Sequence, residues 1–331
     1  MQPHETAQAP PLAADAVDVS FEQTVPRAVA HRQAVGEVFV TDSVQLADDE
    51  FLLGVQLPRA HSLWFDRRVR VHDPVSTAEA ARQSVFVVVH RHLGVPVGLP
   101  FSLQRMEFAV VDLAAYADDE ASPLQGRLRL SVSRRGPNLL LGGMSIEGEL
   151  EIGGAPAMTL GGDIVFMPRA DYDALRAYRR ARKPLDPDAA AVAARPLEPA
   201  AVGRLDARNV VIGAPERERD GAGATRYPLV IDRRHPSFFD HAYDHVPGPF
   251  IVEAWRQAAI VTAHAAGALP TPVAALTACE FTFSDFGEFE GRVQCSALLE
   301  PAAPPYAAVR VGLHQFGERI AAGRVELRPY P

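Results

Sequence analysis

The chain carries one stretch twice. Residues 59–83 read RAHSLWFDRRVRVHDPVSTAEAARQ, residues 233–257 read RRHPSFFDHAYDHVPGPFIVEAWRQ, and the two align without a gap at an offset of 174 residues. His61 falls on His235, Phe65 and Asp66 on Phe239 and Asp240, Glu79 on Glu253, and Arg82-Gln83 on Arg256-Gln257. A second block follows at an offset of 173, with Met106-Glu107-Phe108 opposite Cys279-Glu280-Phe281 and Asp112 opposite Asp285. A repeat this long in 331 residues means two copies of one domain, not a solenoid of short units. Both copies keep the same polar residues inside apolar stretches, and function is sought there.

Composition narrows the classes. The length suits two domains of about 150 residues each. With 47% hydrophobic and 22% charged residues, the chain has an ordinary globular composition. No apolar run approaches the ~18 residues of a membrane span. The N-terminal MQPHETAQAPPLAADAVDVS has neither the basic nor the apolar region of a secretion signal. A cytoplasmic protein without membrane contact is expected, with a disordered tail over residues 1–20. Cys279 and Cys295 are the only cysteines, so no disulfide framework holds the fold. A net charge of −8 argues against nucleic-acid partners. Lys183 is the only lysine, so an anionic ligand must be held by arginine, histidine or a helix N-terminus.

The patterning predicts one long helix in each half. The first runs from Val75 to Leu93 and is stopped by Gly94 and Pro96; the second runs from Pro249 to Ala266 and is stopped by Gly267 and Pro270. Both are apolar on nearly every side, as in SVFVVV at 84–89, so both are expected to be buried. Segments of β character surround them, at 37–41, 51–57, 101–111, 127–133, 139–152 and 158–166, and again at 208–212, 227–231, 275–283, 292–299, 306–313 and 319–327. Short Gly-, Pro- and Asp-rich connections predict antiparallel pairing. One buried helix wrapped by a curved antiparallel sheet is a hotdog domain. The expected fold is α+β, with two tandem hotdog domains at residues 21–169 and 208–331 packed as a pseudo-dimer. Their sheets join edge to edge, because an isolated sheet would expose its edges. Between them, residues 170–183 read as a basic amphipathic helix and 184–207 as an Ala/Pro-rich linker.

Glu253, Arg256 and Gln257 share one helix face by their i, i+3, i+4 spacing, and Glu79, Arg82 and Gln83 repeat it. An exposed ion pair would suit this spacing, but apolar neighbours leave little exposed face. A buried carboxylate costs several kcal/mol unless it is paired, which points to a task. Pro247-Gly248-Pro249 opens the second helix, and Gly248 lets a ligand approach free N–H groups able to receive a thioester oxygen. The first helix opens on Asp73-Pro74-Val75, so the two sites are expected to be unequal. Asp240-His241 and Asp244-His245 invite a metal, but the segment precedes the helix and does not set both histidines on one face; orienting or proton-carrying roles fit better. His61 and His235 suit turn caps, and His90 and His264 suit structural roles in the last helical turns.

The strings HPSFFDHAYDHVPGPFIVEAWRQAA and STAEAARQSVFVVVHRHLGVPVGLPF resemble the A-factor biosynthesis family, the γ-butyrolactone synthases with two hotdog domains. The resemblance runs from about Glu37 to Leu327. It implies transfer of a β-ketoacyl group from an acyl carrier protein to the hydroxyl of dihydroxyacetone phosphate or a similar small alcohol; no organic cofactor is expected, since the thioester is already activated. Glu79, Glu253 and Arg256 match the family's functional positions. The PG…EA stretch also resembles the hotdog dehydratases more distantly, but Phe239 and Phe65 stand where those enzymes carry histidine, which disfavours dehydration. Pro249 departs from the synthase pattern, where an apolar residue such as Met is commoner.

The expected roles follow from this. Glu253 is the general base or orients the acceptor, and Gly248 receives the thioester oxygen. Arg256 holds the phosphate or tethers Glu253, and Glu79 reaches the same seam from the other half. Asp244, His245, Gln257, Arg82 and Gln83 complete the substrate contacts. Glu253 is expected to matter more than Glu79. A thioester hydrolase or hydratase, and a non-catalytic lipid-binding protein, are the alternatives.

Overall fold

The structure, a computed structural model, describes residues 18–135, 143–185, 194–216 and 223–330. The first half contributes β1 (Val40–Ala47), β2 (Glu50–Leu57), α1 (Pro74–Val87), β3 (Phe101–Val110), β4 (Leu124–Arg134), β5 (Met144–Ile152) and β6 (Ala155–Phe166). Helix α2 (Arg169–Ala181) leads out of it. The second half contributes β7 (Thr225–Pro228), α3 (Gly248–Ala265), β8 (Ala274–Phe283), β9 (Val293–Glu300), β10 (Ala307–Gln315) and β11 (Glu318–Pro329).

All eleven strands form one antiparallel sheet in the order β1-β2-β4-β5-β6-β3-β8-β11-β10-β9-β7. Its centre is the pairing of β3 with β8, from Arg105 opposite Thr282 to Ala109 opposite Ala278. Outward from that seam the halves repeat, β3-β6-β5-β4-β2 against β8-β11-β10-β9-β7. Two hotdog domains thus join edge to edge, which removes an exposed edge from each. Strand β4 shows why the sheet has one wet face: Leu124, Leu128, Leu130 and Val132 are buried, while Gln125, Arg127, Arg129 and Ser131 alternate outward.

The helices lie against the inner face. In α1 every residue is buried except Arg82. Its expected run to Leu93 divides at Val87, and Val88–His92 form a π-helical turn before Gly94 closes the element at φ 69°. Helix α3 is buried from Phe250 to Ile260.

Three expectations need correction. The strand expected at 208–212 is a 3-10 turn, Ala207–Asn209, followed by an isolated bridge at Ile212. The 37–41 strand likewise begins late, at Val40, after a 3-10 turn at Val35–Glu37. The cause is shared. Gln257 takes the Asn209 carbonyl and the Val211 N–H, and Gln83 takes the Glu37 carbonyl and the Phe39 N–H, so helix side chains replace a strand neighbour.

Second, part of the expected linker is core. Pro196 bridges Gly213, Val202 is buried, and Arg204 is only 1% exposed; residues 186–193 lie outside the described residues. Third, of the expected tail only 1–17 lies outside them. Asp18 pairs with Arg127 at 2.6 Å and Val19 is buried. Residues 139–142 of the expected 139–152 strand are also outside the described residues. No helix is long and apolar enough to cross a membrane among the described residues.

Candidate active site

Each central glutamate is held by two arginines. Glu253 is fully buried; Arg256 donates to it from Nε at 2.9 Å and Nη2 at 2.7 Å, and Arg204 from Nε at 3.1 Å and Nη2 at 2.9 Å. Gln257 adds a fifth donor at 2.5 Å. Glu79 has the matching set: Arg82 at 2.8 and 2.9 Å, Gln83 at 2.9 Å, and Arg32. Burial alone would raise these carboxyl pKa values, but the paired guanidiniums outweigh it and hold both at about 2.

Arg32 and Arg204 escaped the sequence reading. They stand 172 residues apart, off the 174-residue register, in segments of little regular structure. Arg204 also donates to the Leu63 and Asp66 carbonyls, both at 3.0 Å, so it ties the second half to the first.

A cavity of about 770 Å³ opens where the halves meet. The α3 start, Pro247-Gly248-Pro249, faces it together with His241, Tyr243, Asp244 and His245. The first half supplies Arg82, His31, Phe101 and Leu103, and α2 supplies Arg169, Arg176 and Arg179. Among the expected residues, Gly248, Arg82, Asp244 and His245 therefore line one cavity. Glu253, Arg256, Gln257, Glu79 and Gln83 do not line this cavity. Of the two roles expected for Arg256, the geometry agrees with the tether to Glu253. Glu253 is shielded and its pKa is held down to about 2, and Arg256, with a side chain 5% exposed, pairs with it. Arg82, at 17%, is the helix arginine that faces the cavity, and Glu79 orients it.

The helix starts explain the asymmetry. Asp73 caps α1 by accepting the Val75 N–H at 3.0 Å, whereas no side chain caps α3. Gly248 has room beside it: an added Cβ would meet nothing closer than the Phe283 ring at 4.0 Å. Opposite, at the α1 start, Asp73 pairs with Arg204 at 3.7 Å and is buried, and Tyr330 lies in the field of Asp73, Arg256 and Arg204. That equivalent site is closed.

The remaining polar residues divide plainly. Asp244 is bound by Tyr172, Arg176 and His245; burial opposes its charge, but these partners keep its pKa below the usual carboxylate range. Asp240 accepts the Gln33 and Ala34 N–H groups at 2.7 and 2.9 Å, and Asp66 accepts those of Leu205 and Asp206, again crossing between halves. His61 and His235 cap turns, accepting the N–H groups of residues 63–64 and 237–238 at Nδ1. No cluster of three or more metal-ligating side chains occurs among the described residues.

Known proteins match this arrangement in sequence and fold. The model of the A-factor biosynthesis hotdog domain matches residues 13–139 and 185–331. A 2-oxo-3-(phosphooxy)propyl 3-oxoalkanoate synthase of Streptomyces virginiae is 34% identical over 285 residues, 85% of this chain and 89% of that protein. A synthase of the same name from Streptomyces griseus is 28% identical over 316 residues, 88% of this chain and 91% of that protein. The crystal structure of a proposed thioesterase from Novosphingobium aromaticivorans superimposes with a TM-score of 0.53 at 14% identity, covering 87% of this chain and 98% of that one, a likeness of fold.

Proposed function

The chain belongs to the A-factor biosynthesis hotdog family, and on that premise we propose that it is an acyltransferase. It moves a β-ketoacyl group from an acyl carrier protein thioester to the hydroxyl of dihydroxyacetone phosphate. The product is the ester for which its Streptomyces relatives are named. One observation carries the reading: the uncapped α3 start and the Arg82 guanidinium share one cavity.

The parts suit the reaction. The Gly248 N–H, at the positive end of an 18-residue helix, receives the thioester oxygen as it gains charge. Arg82 holds the acceptor phosphate, with Arg169 and Arg179 lining the same cavity. Phe101, Leu103, Ile251 and Phe283 give the acyl chain an apolar bed. The hydroxyl oxygen attacks the thioester carbon, the C–S bond breaks, and the thiol leaves with the proton. Glu79 acts one step back, fixing the Arg82 fork so that little freedom is lost on binding. Glu253 and Arg204 brace the joint between halves.

Incubation with a β-ketoacyl carrier-protein thioester and dihydroxyacetone phosphate, read by mass spectrometry, tests this. The phosphorylated ester is expected. Free β-keto acid alone, at equal rate with or without the alcohol, would make the protein a thioester hydrolase instead.

A further inference from the structure

We propose that His31, braced by His90 and the Val95 carbonyl, is the proton acceptor for the attacking hydroxyl. The assignment rests on the transfer reading above and adds the residue that reading lacks, since both glutamates are locked in ion pairs.

The hydrogen-bond pattern fixes the protons. The Val95 carbonyl can only accept, so the His90 Nδ1 at 2.7 Å carries a hydrogen. In the tautomer with a single hydrogen on His90, its Nε2 accepts, and the partner at 2.6 Å, His31 Nε2, donates. That leaves Nδ1 of His31 as the basic nitrogen of a residue lining the cavity beside Arg82. The ring is held flat on Phe86, with centroids 4.2 Å apart and planes at 3°, and Arg82 lies over the same ring.

Three further observations favour a task over a packing role. His31 has φ 53°, a left-handed conformation costly for a side chain with a Cβ. At the matching place in the second half, beside Arg204, stands Gly203 with φ 74°. His264 there repeats the carbonyl contact of His90, donating toward Leu269 at 3.0 Å. The closed site thus keeps the brace and has no base. Finally, His90 sits in the π-helical turn Val88–His92, a local irregularity that re-aims side chains and recurs at functional sites.

Burial is the main cause that pushes the His31 pKa down, to about 3, and the nearby Arg82 and Arg32 guanidiniums oppose its protonation as well. The empty site therefore holds a neutral imidazole. A phosphate dianion on Arg82 offsets that positive field and raises the basicity of Nδ1 when the acceptor is bound. In the step itself the hydroxyl proton moves to His31 Nδ1 as oxygen bonds to the thioester carbon. The C–S bond then breaks and the thiolate takes the proton back, leaving ester, thiol and neutral histidine.

His31→Gly is the informative variant, because glycine is what the second half already carries in this conformation. With acyl thioester and dihydroxyacetone phosphate, thiol release should fall by about 10²-fold or more with an unchanged melting temperature. Added imidazole should restore part of it in proportion to its neutral form. His31→Asn, also tolerant of a left-handed backbone, replaces the glycine variant if that one does not fold. Turnover within about threefold of wild type in the folded variant overturns the proposal. If the wild type releases free acid instead of ester, the transfer reading falls, and the same comparison on hydrolysis decides His31. Nitrogen-15 imidazole spectra of the intact protein need no substrate: they should show Nδ1 bare in His31 and protonated in His90. The reverse tautomers refute the relay.

Discussion

Replacing each central glutamate by glutamine separates a stabilising role from a catalytic one. The sequence ranks Glu253 above Glu79, because Glu253 lies one turn from Gly248; the reading proposed above ranks them the other way. Glu253→Gln keeps the shape but leaves Arg204 and Arg256, exposed by only 2% and 5%, with Asp73 at 3.7 Å from Arg204 as their remaining counter-charge. Breaking a buried pair from one side typically costs about 3–5 kcal/mol. With an unfolding entropy near 2 cal/mol/K per residue, a chain this size should melt roughly 5–7 °C lower. Turnover per folded molecule should stay within about threefold, since neither arginine lines the cavity. Glu79→Gln should cost similar stability and also release Arg82, which does line it. The apparent KM for the phosphorylated acceptor should then rise about tenfold, the equivalent of 1.4 kcal/mol. Differential scanning fluorimetry and steady-state kinetics on the same preparations read both effects. A Glu253→Gln protein that melts like wild type yet loses about a hundredfold in kcat would return Glu253 to the reacting atoms and sink this account.

Three other expectations follow from the same geometry. Arg82→Lys keeps the charge but loses the planar fork, and should raise KM for dihydroxyacetone phosphate about tenfold while kcat changes little; unchanged KM would move the phosphate to the α2 arginines. Gly248→Ala meets open space, so the melting temperature should hold, but its methyl should crowd the thioester and lower kcat/KM by about tenfold or more; a kinetically silent variant would place the oxyanion elsewhere. Both glutamate pKa values are depressed from 4.5 to about 2, so their stabilisation is complete above pH 4.5 and is lost as the pH falls toward 2. That loss is on the order of 3 kcal/mol for each group. Melting curves between pH 6 and 3 should show it, and Glu253→Gln should show a shallower decline; parallel declines would mean the pairs do not titrate.

The repeat made most of the architecture legible. A gapless offset implies equal halves, and two sheets with unsatisfied edges imply an edge-to-edge join, which the structure makes between β3 and β8. Alternation located β4 and β6 because one face of each meets water. Legibility ended where side chains replace regular pairing. The segments at 35–39 and 207–211 carry strand-like residues, yet Gln83 and Gln257 take their backbone groups, which no local pattern records. Arg32 and Arg204 were hidden for the same reason. An Ala/Pro-rich composition reads as a linker, and burial of one arginine within it depends on a carboxylate 49 residues away. His31 was invisible as a candidate because its meaning lies in a left-handed φ and in a partner, His90, that helix position alone marks as structural.

The sealed pseudo-equivalent site has a consequence for counting. In a dimer of identical chains, a residue that blocks one mouth blocks its mate, because a single gene segment builds both. Joining the copies in tandem lifts that restriction: Asp73 caps and is buried at the α1 start, while Gly248 lines the cavity at the α3 start. One chain should accordingly saturate with one acyl ligand. The two halves are then not two enzymes sharing a backbone. The first half lends Arg82 and His31, the second lends its helix start, and a mixture of separately expressed halves should gain activity only as the product of both concentrations.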